Sequence, residues 1–94
     1  MTSSMLYVDF NEMLAPNLVL LSATDTKTAS DGVVVSLNEG MEVDVYMNDT
    51  DEHGFPDNLV ATGVVEANRT TGWSAHVKWC CRIDAHGIRH QSEL

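Results

Sequence analysis

Apolar and polar positions alternate along much of this chain with a period of two. Residues 41–47 read Met-Glu-Val-Asp-Val-Tyr-Met, which puts Met41, Val43, Val45 and Met47 on one face and Glu42, Asp44 and Tyr46 on the other. That is the pattern of a half-buried strand. Residues 75–83 repeat it: Ala75, Val77, Trp79, Cys81 and Ile83 face in, while His76, Lys78, Cys80 and Arg82 face out. Residues 59–67 predict a third strand, and residues 17–23 and 33–37 are two more apolar runs. Turn residues fill the gaps at 24–32, 38–40 and 68–72. Asp84-Ala-His-Gly87 has the Asp-first, Gly-last order of a type I turn, and residues 88–91 follow as a short last strand.

A register follows for the two longest strands. With Ala67 opposite Trp73, Gly63 meets Val77, Ala61 meets Trp79 and Leu59 meets Cys81. Small residues then face large ones, as a packed inner face requires. The same register leaves Val60, Thr62 and Val64 outside, beside Cys80, Lys78 and His76. Two exposed valines imply a cover, either the N-terminal segment or a second subunit. Asp9-Phe-Asn-Glu12 fits one capped helical turn before Pro16, and residues 1–4 are expected to be disordered. The predicted organisation is therefore a partly ordered segment over 1–16 and one small β-domain over 17–94. Five to six short antiparallel strands at regular spacing predict an all-β fold, a small barrel or sandwich.

Composition narrows the function classes. The 94 residues carry fourteen acids and five Lys or Arg, a formal charge of −9. Such a field repels phosphate backbones and anionic membranes, so neither nucleic acid nor membrane is an expected partner. No apolar run approaches the roughly 18 residues of a membrane span, and the N-terminus lacks a secretory pattern. Cytoplasm is the expected location. Residues 39–57 hold seven acids and no base; residues 69–90 hold four bases, three histidines and one acid. Attraction between neighbouring strands is the simplest account of that asymmetry.

The stretch from Leu37 to Glu93 contains LNEGMEVDVYMNDTDEHGFPDNL, then ATGVVEAN, WSAHVKW and RIDAHGIRHQSE. Over a little under two thirds of the chain it resembles short acidic bacterial proteins of uncharacterised function and, more broadly, SH3-like or Tudor-like barrels. The resemblance implies a small barrel architecture and no particular activity.

Four chemistries compete. Asp49, Asp51 and Asp57 sit at positions one, three and nine of a calcium-loop spacing, with Gly54 at six. However, His53 stands where an oxygen is needed and Val60 where a bidentate glutamate is needed. The rival reading of 48–58 is a solvated hairpin end built from turn formers, and it is preferred. A zinc site from His76, Cys80, Cys81, His86 and His90 fails on reach, because His76 and Cys80 lie about 13 Å apart along a strand. Cys80, between Lys78 and Arg82, is the one candidate nucleophile for a thiol-dependent enzyme. No phosphate loop or supporting third group accompanies it, so catalysis is not expected, nor any cofactor. The favoured reading is a binding module for a protein partner or a second copy of the chain. Its candidate contacts are Tyr46, Phe55 and Trp73, aromatics of the kind that cage cations in Tudor-like barrels, and the face of Val60, Val64, His76, Lys78 and Arg82.

Overall fold

The computed structural model describes residues 5–93, and the disorder expected for residues 1–4 lies outside them. Among the described residues nine strands form: β1 (Met5–Tyr7), β2 (Met13–Ala15), β3 (Leu18–Ser22), β4 (Thr26–Thr28), β5 (Val34–Ser36), β6 (Glu42–Met47), β7 (Leu59–Ala67), β8 (Trp79–Ile83) and β9 (Arg89–His90). A 3-10 turn, Gln91–Glu93, follows. The fold is all-β, as the period-two pattern predicts. It has more strands than expected, and the sheet does not close into a barrel. Seven strands make one sheet in the order β1-β6-β7-β8-β3-β2, with β9 on β7; β4 and β5 form a separate hairpin.

Before the turn expected at Asp9–Glu12 lies a strand the sequence pattern does not predict: β1 pairs with β6 in parallel, Leu6 opposite Val45. Leu6 and Val8 are buried with Val45 while Tyr7 points outward, so alternation applies here too. At 9–12 the chain makes a tight turn: Glu12 N–H donates to Asp9 O at 2.9 Å and Asn11 N–H to Asp9 Oδ1 at 2.9 Å. This turn carries the chain from one edge of the sheet to the other, where β2 pairs with β3. The gap in the sheet is thus bridged covalently rather than by a ladder.

Strand β8 is shorter than expected, and its register differs. Ala67 pairs with Trp79 instead of Trp73, and Val65 with Cys81. The slip is six residues because 68–78 is a folded loop. Asn68 organises it: Nδ2 donates to Ser74 O and Val77 O at 2.8 Å each, and Oδ1 accepts from Thr70 N–H at 2.9 Å and Thr70 Oγ1 at 2.6 Å. A side-chain amide has two donors and one acceptor oxygen, and all are used. The slip is even, so Cys81 and Ile83 keep their inward phase.

Turn 84–87 forms as expected, Gly87 N–H donating to Asp84 O at 3.1 Å, but it does not reverse the chain. Gly63 pairs with Ile83 and Val60 with Arg89. Three steps back along β7 therefore take six steps forward along β8 and β9, so three residues loop out. β9 continues the line of β8 rather than reversing it.

The core lies on the inner face. Val19, Val45, Val65 and Cys81 are wholly buried there, and Ala29 and Leu37 of the β4–β5 hairpin region close over them. Full burial of each valine is worth about 1.5–3 kcal/mol. A second, smaller cluster of Leu20, Val77 and Cys80 lies apart from this core, flanked by Leu14 and Leu18. Trp79 is half-buried against the main core, and its Nε1–H donates to Asp25 Oδ1 at 3.1 Å. Among the described residues no helix is long and apolar enough to cross a membrane.

Candidate functional site

The acidic loop 48–58 is internally committed. Asp51 Oδ1 accepts from His53 N–H at 2.8 Å and Phe55 N–H at 3.0 Å, closing the tip. Asp49 Oδ2 meets His90 Nε2 at 3.1 Å. Asp57 accepts from Ser92 N–H at 3.0 Å and Ser92 Oγ–H at 2.8 Å, and those two bonds hold its carboxyl below the usual range. These carboxylates close a hairpin and pin the C-terminal segment. Among the described residues no three His, Cys, Asp or Glu side chains gather as metal ligands.

The pinned segment explains a second departure. Val60, expected on an open face, is only 6% exposed. It lies between Tyr46 on β6 and Arg89 on β9, so the chain's own last strand flanks it. Val64 matches expectation at 41% exposed. Cys80 was also expected outside, yet it is buried, because Leu20 pairs with it across the strands and Val77 packs on it. Burial pushes the Cys80 thiol up, and pushes Cys81 up to about 12. Both thiols are buried, whereas a reactive cysteine sits in a partly exposed, electropositive setting.

The three proposed aromatic contacts are not brought together. Phe55 stands at the loop tip before β7, 66% exposed, and Trp73 in the loop after it, 63% exposed. A strand of nine residues separates them, a span of about 26 Å at the usual rise per residue. Tyr46 instead meets Tyr7 edge to face, ring centroids 5.6 Å apart. Tyr7 is 44% exposed, on a strand of three residues that is too short for alternation to predict it from the sequence.

The basic group does not form one face either. Lys78 Nζ sits 2.6 Å from Asp25 Oδ1, Arg82 pairs with Glu66, and Arg69 Nη2 lies 3.2 Å from Glu39 Oε2. His76 Nδ1 is 3.1 Å from Trp73 O. Charge attraction across the fold is real for these cations, and Glu66 is held low by its Arg82 bonds.

The acids are not matched in return. Of the seven acids in 39–57, Glu39 alone faces a Lys or Arg among the described residues. Glu42 and Asp44 lie on the outer face of β6. Across that face β1, β6 and β7 set Tyr7 beside Tyr46 and Val60, and Met5 beside Asp44 and Thr62. Glu42 lies beside Val64. Asp44 Oδ1 accepts from Thr62 Oγ1–H at 2.7 Å, which holds its carboxylate in the plane of this face. The surface is thus an acidic strip bordered by tyrosines, a methionine and an exposed valine. Against known proteins, no family model, no curated sequence and no solved structure matches the chain.

Proposed function

We propose that this chain is a non-catalytic interaction module whose outer β1-β6-β7 face takes a cationic segment of another protein. The observation that carries the reading is the juxtaposition of Glu42 and Asp44, which form no ion pair with Lys or Arg among the described residues, with the Tyr7–Tyr46 pair. Carboxylates attract Lys and Arg, and tyrosine faces add cation–π attraction for the same groups. The net charge of −9 extends that attraction outward and speeds encounter. Pairing of the face with itself is disfavoured, since a two-fold contact would set the acidic strip of one copy near that of the other.

The test is fluorescence anisotropy with an arginine-rich decapeptide and a glutamate-rich control. The arginine-rich peptide binds, and binding weakens with salt. Glu42→Lys with Tyr7→Ala weakens it about tenfold or more, the loss of one charge-assisted contact and one aromatic contact. Glu52→Lys in the exposed loop changes the net charge by the same two units and leaves most of the affinity. Equal losses from both variants would reduce the effect to bulk charge and sink the reading.

A further inference from the structure

The turn that carries the chain between the sheet edges also builds a cleft. It has a volume of about 320 Å³ and is walled by Tyr7, Asp9, Glu12, Leu20, Lys27 and His76, among others. That volume sits at the lower end of small-molecule sites. Lys27 belongs to β4 and reaches β3, where its Nζ–H donates to Leu21 O at 2.9 Å. Arg69, Lys78 and Arg82 each face a carboxylate, and Lys27 does not: among the described residues it has this one hydrogen bond and no ion pair. Burial shifts its pKa downward.

An ammonium has three donor positions, and a partly buried cation without a counter-ion is costly. An incoming carboxylate would relieve that cost. A bare anion is a poor fit, because Asp9 and Glu12 line the same cleft and the chain is strongly negative. A bare cation is equally poor beside Lys27. The cleft offers a cation and two carboxylates that form no ion pair with it, with Tyr7 and Leu20 as an apolar wall. That complements a ligand carrying both charges and a short apolar group.

We infer that this cleft binds a small zwitterion of α-amino acid size, its carboxylate on Lys27, its ammonium toward Asp9 and Glu12, and its side chain against Tyr7 and Leu20. The cleft shares Tyr7 with the outer face but draws its charged groups from Lys27, Asp9 and Glu12, so variants at those residues test it apart from the protein-binding face.

The experiment is an NMR titration of the full chain with L-leucine, N-acetyl-leucine and leucine amide. Leucine shifts the amides of residues 7–12, 20–23 and 27 with saturation at millimolar concentration, and each blocked form binds about tenfold more weakly, having lost one charge-assisted contact. Lys27→Met keeps the apolar stem, removes the charge and weakens leucine binding by a similar factor of about ten, while the melting temperature holds or rises. Should Lys27→Met fail to fold, Glu12→Gln must weaken leucine binding while leaving N-acetyl-leucine binding unchanged. No shifts with leucine up to about 50 mM, a concentration beyond any specific small-ligand site, would overturn the inference. So would N-acetyl-leucine binding as well as leucine, or unchanged affinity in Lys27→Met.

Discussion

Replacing Gly63 with alanine adds a single methyl group, yet it should be among the most damaging changes in the molecule. Gly63 is central in β7, with Val43 on one side and Ile83 on the other. A Cβ there would collide with the carbonyl oxygen of Arg82, and would stand 2.6 Å from Cys81 Sγ and 2.9 Å from the Arg82 carbonyl carbon. Two of the three atoms are backbone of the adjacent strand, so no rotamer change relieves the contact. Strand β8 would have to retreat by about 1 Å to restore van der Waals separation, which lengthens ladder hydrogen bonds beyond useful range. Overpacking costs about 1–3 kcal/mol, and one or two weakened ladder bonds add about 1 kcal/mol each. Alanine recovers about 0.5–1 kcal/mol by restricting the unfolded chain. The net is a loss of about 3 kcal/mol, or a fall of about 12–20 °C in Tm for a domain of this size. The assay is thermal unfolding followed by circular dichroism, with urea midpoints as a second measure. Gly72→Ala is the control. Its Cβ meets nothing within 4 Å, but its φ of 89° is strained for alanine, so it should lose only about 1–2 kcal/mol. A Gly63→Ala protein within about 3 °C of the parent, less than the shift from 1 kcal/mol, would refute the close approach of β7 and β8.

Two further outcomes follow from the same contacts. His90 joins Asp49 and Glu93, and those hydrogen bonds, Asp49 first, raise its pKa. The stabilisation is therefore complete below the unfolded value of about 6.5 and is lost as pH rises through the folded value. Tm should decline over that range, and His90→Ala should abolish the decline; an unchanged pH profile in the variant would refute the pinning of the C-terminal segment. Asn68→Ala removes four hydrogen bonds from the 68–78 loop. It should cost about 2–3 kcal/mol in urea unfolding, with Asn68→Asp, which keeps the acceptor, intermediate.

Legibility in the sequence was uneven, for identifiable reasons. Strands β6 and β7 were visible because each buries one face, and alternation is then forced residue by residue. The phase of β8 was visible too, and it survived a six-residue slip because the slip was even. Its start was hidden: Ala75 to Val77 continue the pattern, but Asn68 satisfies the backbone of that stretch in a loop instead. Strand β1 was hidden by length, since three residues give no periodicity to count, and its partner β6 lies far along the chain. At the candidate site, alternation along β6 places Tyr46 outward, but no pattern in the sequence points to Tyr7 as its neighbour. Phe55 and Trp73 looked like its companions only because spacing along the sequence says nothing of the strand that separates them.

The sequence by itself determined that the protein is all-β, which residues of its long strands face inward, and that its negative charge is concentrated in 39–57. These are local properties, set by a side-chain period of two and by composition. Only the tertiary structure decided that Cys80 is buried by Leu20 and Val77, that Val60 is flanked by β9, and that the acids of 48–58 hold the chain's end. It also decided that Lys27 lines a cleft and forms no ion pair among the described residues. Each of these depends on which distant segments become neighbours, and that is settled by loop closure and packing rather than by any pattern along the chain.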